Sequence, residues 1–166
     1  GLFALSQPDP AAPGVTLRLV QPNAEQRLKW DPDLAATHFD RLLRLSAPGE
    51  SLPDLVIWPE TALPYLLDRH PEIAGMIAAA AGGAPVALGL QRVAGEQAWN
   101  SLTVIAPDGA ETARYDKAHL VPFGEYIPAG DLAYRVFGLR AFASQAGAGY
   151  TAGPGPVALD LGPRLG

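Results

Sequence analysis

Five residues, Asp-Leu-Val-Ile-Trp at 54–58, constrain the fold more than any other stretch, and Pro59 stops them. A short continuous apolar run without polar alternation suits a strand covered on both faces, the pattern of a central strand in a layered sheet. Proline ends it because it has no N–H to give to the ladder. The flanking segments fit the same plan. Residues 15–23 read as a strand, with Val15, Leu17 and Leu19 alternating and Pro22 as the stop. Residues 31–46 read as a helix with Asp31 as N-cap and Pro32 in the first helical position. Ala35, Phe39, Leu42, Leu43 and Ser46 then fall on one face. A second helix runs from Pro71 to the glycines at 82 and 83.

Downstream, residues 85–93 read as another buried strand, and residues 99–116 as a hairpin turning at Pro107-Asp108-Gly109. Residues 131–142 suit a short helix, 147–156 a loop, and 157–161 a last strand. Helices and strands in this order predict a mixed α/β layered fold with helices packed on a sheet. Residues 1–14 read as a lead-in or linker, and 15–166 as the domain proper. The glycine-rich end after the last strand looks like a chain cut between elements.

Composition narrows the function. The chain has 166 residues, 48% of them hydrophobic and 17% charged, enough for one packed core. Its net charge of −5, with no cluster of Lys and Arg, argues against a nucleic-acid partner. No apolar run approaches the ~20 residues that span a bilayer. There is no cysteine, which excludes disulfides, thiolate metal sites and a thiol nucleophile within these residues. His38, His70 and His119 lack metal-ligand spacing, and the glycines at 147–155 lack a phosphate-binding fingerprint, so neither metal nor cofactor is expected. Ser101 and Ser144 lack the nucleophile-elbow context of a serine hydrolase.

Three residues stand out. Glu60 follows the buried strand at its carboxyl end, where open α/β sheets collect ligands. Trp58 and Pro59 would limit water there, and a carboxyl kept dry acts as a general base near neutral pH. Alone, Glu60 reads as well as a helix cap or an ion-pair partner. Lys117 opens the stretch Lys-Ala-His-Leu-Val-Pro-Phe-Gly-Glu-Tyr at 117–126, and a lysine beside a carboxylate can stabilise an oxyanion. Alone, Lys117 reads as a surface lysine, and Glu125 as a surface glutamate.

Together, "VIWPET", "WNSL" and "YDKAHLVPFGEY" resemble the nitrilase, or carbon–nitrogen hydrolase, superfamily. "RLVQPNAEQRLKW", "VIWPETALP" and "HLVPFGEYIP" narrow the resemblance to its apolipoprotein N-acyltransferase family. The resemblance implies an α-β-β-α sandwich, here incomplete. It implies a general base at Glu60, an oxyanion-stabilising lysine at Lys117 and an ordering glutamate at Glu125. Trp99 and Asn100 would support the loop.

The family's nucleophile is a cysteine downstream of the lysine. The chain resembles that domain truncated before the cysteine, and is expected to be inactive alone. The implied reaction moves a fatty acyl chain from a phospholipid, through a cysteine thioester, to the N-terminal amine of a diacylglyceryl-cysteine lipoprotein. The implied location is the bacterial inner membrane, with this domain facing the periplasm and anchored by flanking helices. A small-molecule amidase or a non-catalytic module on the same fold are the alternatives. The apolar stretches 62–67 and 132–142 are either core or lipid-facing loops.

Overall fold

The run at 54–58 becomes the strand that organises the molecule. In the computed structural model, which describes residues 14–23, 31–126, 149–161 and Leu165, five strands form one sheet in the order β1-β2-β3-β4-β5. The strands are β1 (Leu17–Leu19), β2 (Leu55–Ile57), β3 (Val86–Ala94), β4 (Gln97–Ile105) and β5 (Glu111–Asp116). β1, β2 and β3 are parallel, while β4 and β5 return antiparallel, so the sheet is mixed. Helix α1 (Pro32–Ser46) connects β1 to β2. A single 3-10 turn (Leu67–Arg69) and α2 (Glu72–Ala80) connect β2 to β3. This is the mixed α/β class expected from the sequence.

Each connection has a local cause. Asp31 accepts from the Asp33 N–H and so caps α1, and the chain leaves that helix at Ala47 with extended backbone. Gly82, at φ +64, lets the chain turn back after α2, in a region that side chains with a Cβ avoid. Two hairpins follow rather than one. The expected turn at 107–109 joins β4 to β5, with Gly109 at φ +85 and its N–H bonded to Ala106 O. A second and tighter turn, the two residues Gly95-Glu96, joins β3 to β4, where Ala94 faces Gln97.

The pleat sorts the residues onto two faces. One face carries Val56, Val86, Leu88, Leu90 and Ile105, packed with Phe39 and Leu42 of α1 and Ile73 and Ile77 of α2. Burying each of these large side chains contributes on the order of 1.5–3 kcal/mol. Trp58 joins this core, its ring in a T-shaped pair with Phe39 and its Nε1–H donating to Ser46 Oγ at 2.7 Å. The opposite face carries Leu55, Ala87 and Val104, with Leu161 and Leu165 against it. Helices on one face and an apolar opposite face make one half of an α-β-β-α sandwich.

The stretch 62–67 resolves to core: Ala62, Leu63 and Leu67 are buried and Tyr65 packs on Phe39. The expected strand at 157–161 does not form. Those residues pair with no strand, and Val157 is 59% exposed. Their alternation marks only the side facing the sheet, where Leu161 lands. β1 is also shorter than 15–23, an exposed edge with Leu19 outward. The expected helix at 131–142 and the lead-in at 1–13 lie outside the described residues.

Candidate active site

The polar groups of this fold converge where β2 and β5 end and β4 begins. Glu60 sits on the turn after β2, Asn100 near the start of β4, Lys117 just past β5, and Glu125 on the loop beyond. Side chains separated by 57 and 8 residues meet at one ammonium: Lys117 Nζ lies 2.9 Å from Glu60 Oε1 and 3.0 Å from Glu125 Oε1. The three residues singled out from the sequence are therefore neighbours in space.

Asn100 closes the arrangement. Its Nδ2 donates to Glu60 Oε1 at 2.6 Å and to Glu125 Oε1 at 2.8 Å, while its main-chain carbonyl accepts from the Lys117 N–H at 2.8 Å. From its motif alone Asn100 is expected only to support the loop. The available signal was a polar residue within the apolar β4 run, on the same face as Leu102 and Val104. In the structure Asn100 is buried, at 4% exposure, and touches all three charged residues.

The two glutamates differ. The Glu125 side chain is 9% exposed, and its second oxygen, Oε2, accepts from the Val121 N–H at 2.8 Å. Burial alone pushes its pKa up. The Val121 N–H, the Lys117 ammonium and the Asn100 amide outweigh burial and hold it below the usual carboxylate range. Glu125 thus stays ionised. The Glu60 side chain is 61% exposed, so the dry pocket expected around it is not what forms. Trp58 lines the same cleft, but its indole N–H is tied to Ser46 in the helix-side core, and Glu60 stands beyond it on an exposed turn. Burial lowers the Lys117 pKa, but the two carboxylates outweigh it and raise the pKa above the usual lysine value. The ammonium therefore persists at every physiological pH.

Two glycines set the spacing by close approach. A Cβ on Gly89 would lie 2.6 Å from Pro59 O and from Thr61 N, so the Glu60 turn rests directly on the β3 backbone. Ala62 N–H and Leu63 N–H both bond Gly89 O, and Thr61 holds a left-handed φ of +45°. Gly153 does the same under Lys117. Its N–H donates to Lys117 O at 3.0 Å, and a Cβ there would overlap the Asp116 carbonyl. Tyr150 braces the other side: its N–H donates to Glu125 O at 2.7 Å. Burial first, then the charges of Glu125 and Glu60, push its phenol up to about 12.

A cleft of about 430 Å³ opens onto this cluster, lined by Glu60, Asn100, Tyr115, Lys117 and His119 among others. It therefore presents one fixed cation, one buried anion and one accessible carboxylate. That set can take a proton through Glu60 and hold a developing negative charge against Lys117. Among the described residues no group of three or more His, Cys, Asp or Glu is placed to hold a metal ion.

Comparison with known proteins gives the geometry a context. No family model matches the chain. The chain is 38% identical over 143 residues to an apolipoprotein N-acyltransferase of Allorhizobium ampelinum, covering 80% of this chain and 27% of that protein. It is 37% identical over 174 residues to the apolipoprotein N-acyltransferase of Rhizobium meliloti, covering 97% of this chain and 33% of that one. The chain thus spans about a third of the length of these curated relatives. Its fold matches a CN-hydrolase superfamily protein from Xanthomonas campestris at a TM-score of 0.52 and 23% identity, over 88% of this chain and 49% of that one.

Proposed function

The chain is a homologue of the apolipoprotein N-acyltransferases over about a third of their length and has the carbon–nitrogen hydrolase fold, and from this we propose that it supplies the acid–base half of an acyl-transfer site. The observation that carries the proposal is the convergence of Glu60, Lys117 and Glu125 at one cleft. The nucleophile in this reading is a cysteine thiol supplied by sequence outside these 166 residues, which contain none.

Glu60 takes the thiol proton, and the thiolate attacks the ester carbonyl of a phospholipid acyl chain. The Lys117 ammonium faces the oxyanion as it forms. Collapse breaks the ester C–O bond, and the lysophospholipid alkoxide leaves with the proton held by Glu60. The N-terminal amine of a diacylglyceryl-cysteine lipoprotein then attacks the thioester. Glu60 accepts the amine's proton and returns it to the departing sulfur. Glu125 carries no proton in this scheme; it fixes Lys117. The 166 residues alone are inactive in this reading. The enzyme works at the bacterial inner membrane with this domain facing the periplasm, held there by helices outside these residues. Among the described residues no helix is long and apolar enough to cross a membrane.

A small-molecule amidase would use the same three side chains. Identities of 37–38% to acyltransferases over most of the chain favour a lipid ester as the acyl donor. The test is Glu60→Gln in the whole natural protein, with acylation of a diacylglyceryl-cysteine peptide followed by mass spectrometry. Loss of a general base should slow transfer by about 10²–10⁴-fold. Transfer within a few-fold of the parent would overturn the reading, and release of ammonia from small amides would replace it with the amidase.

A further inference from the structure

The site holds two carboxylates and one ammonium, an excess of one negative charge. Glu60 Oε1 and Glu125 Oε1 each accept from Lys117 Nζ, at 2.9 and 3.0 Å. Each also accepts from Asn100 Nδ2, at 2.6 and 2.8 Å. Two acceptors and two donors alternate in a closed ring. A primary amide has two hydrogens on its nitrogen, and here both are used, one on each glutamate. No other residue type of this size offers two neutral donors from one atom. A lysine in its place would cancel the excess charge, and an aspartate would have nothing to donate.

We propose that Asn100 is a positioning residue that divides the work of the two glutamates, clamping Glu125 as a fixed negative charge and presenting Glu60 to the cleft as the group that moves the proton. The ring is not symmetric, and that asymmetry makes the division. Glu125 has its second oxygen tied to the Val121 N–H and its side chain buried. Glu60 stands on a turn at the cleft with its side chain 61% exposed. The amide thus adds a donor to both, but only one is left where a substrate can reach it. Asn100 is itself held by register: its main-chain carbonyl accepts from the Lys117 N–H, so β4 and β5 carry ring donor and ammonium together. Among the described residues, the other groups facing the ring are the Tyr150 phenol, whose pKa is raised first by burial and then by the charges of Glu125 and Glu60, and Tyr115 and His119 in the cleft wall.

The experiment compares Asn100→Ala and Asn100→Ser with the parent in the whole natural protein, with the glutamate carboxyl carbons ¹³C-labelled. Glu60→Gln and Glu125→Gln assign the two signals. A hydrogen bond to a carboxylate favours its charged form, so losing it raises that group's pKa. Asn100→Ala should move the acid limb of kcat/KM upward by about one pH unit, the size of one hydrogen bond to a charged group. KM should change little while kcat falls. Asn100→Ser, with one donor, should fall between, and both glutamate signals should titrate higher in Asn100→Ala. An activity loss uniform across pH, with unmoved carboxyl titrations and a lowered melting temperature, would leave Asn100 merely structural and overturn the proposal. The activity arm rests on the acyl-transfer reading, but the carboxyl titration does not. If the parent transfers no acyl chain, that reading fails, while raised or unmoved glutamate titrations still decide for or against the role of Asn100.

Discussion

Two charged clusters sit back to back on the same pair of strands. Asn100 and Ser101 are consecutive on β4, Asp116 and Lys117 at the end of β5, and the pleat sends each pair to opposite faces. On the helix side Asp116 Oδ2 meets Arg92 Nη2 at 2.7 Å and its Oδ1 accepts from Ser101 Oγ at 2.6 Å. The Arg92 guanidinium also stacks 3.8 Å over the Trp99 ring. One anion faces one cation, both under a fifth exposed, and no cleft is needed to explain either. On the far side two anions share one cation, a neutral amide fills the gap, and one anion stands at a cleft. A balanced, closed cluster is what stability alone produces. An unbalanced one with an exposed member is the arrangement expected where charge changes during a reaction.

The sharpest way to break that contrast is to remove the cation from the unbalanced side. Lys117→Met leaves two carboxylates facing each other across a site built for an ammonium. In the whole natural protein we expect acyl transfer to fall by about 10³-fold or more, measured at saturating donor. The pH dependence of folding should also weaken. The folded pKa of Glu125 lies below its usual value, so its contribution is present above about pH 4.3 and lost as pH falls through the folded value. Without Lys117 that advantage shrinks, and thermal melts at pH 7 and pH 4 should converge. Activity near the parent level would make the cluster a structural ion pair like its neighbour.

Gly89→Ala is the next largest. Its new Cβ meets backbone atoms at 2.6 Å, and backbone cannot swing aside as a side chain does. The turn bearing Glu60 must shift, at a cost of about 1–3 kcal/mol of overpacking, and Glu60 should leave Lys117. Denaturant melts and transfer rates should both fall, the rate by more than the lost folded fraction accounts for. If the rate followed the folded fraction alone, the turn would not be setting the geometry.

The two clusters were unequally legible in the sequence. Lys117, Glu125 and the run before Glu60 lie in short contiguous stretches, so local spacing and the family resemblance reached them. Asn100 and Gly89 act across strands. Asn100 matters because register places it between residues 40 and 25 positions away, and Gly89 because the turn at 59–61 lies on it. Neither distance is encoded locally. The same limit explains the strand expected at 157–161, where alternation reported one-sided contact rather than pairing. It also explains the water-limited Glu60, since the run 54–58 predicted a buried strand correctly but not that the turn after it would stand exposed.

On the balanced side Asp116→Asn should do the reverse of Lys117→Met. Burial pushes the Asp116 pKa up, but Arg92 and Ser101 outweigh it and hold the carboxyl below the usual range. The contribution of this pair is therefore present above about pH 3.9 and lost as pH falls through the folded pKa. The variant should lose about 1–2 kcal/mol at pH 7, less than a fully buried pair, and show a flatter melt profile below pH 4. Acyl transfer per folded molecule should stay within a few-fold. A large loss of transfer at unchanged stability would merge the two clusters into one site.

The smallest effect is the control for the glycine argument. Gly75 lies exposed in α2, and a Cβ there meets nothing within 4 Å. Its backbone is helical, so the extra freedom of glycine only widens the unfolded ensemble. Gly75→Ala should therefore stabilise the chain by about 0.5–1 kcal/mol and leave transfer unchanged. Gly89→Ala and Gly75→Ala are the same chemical change, and opposite signs in one denaturant series would assign the first effect to the contact with the Glu60 turn. If Gly89→Ala were also neutral or stabilising, the turn would have room to move, and the position of Glu60 would depend on its side-chain partners, Lys117 and Asn100 among them.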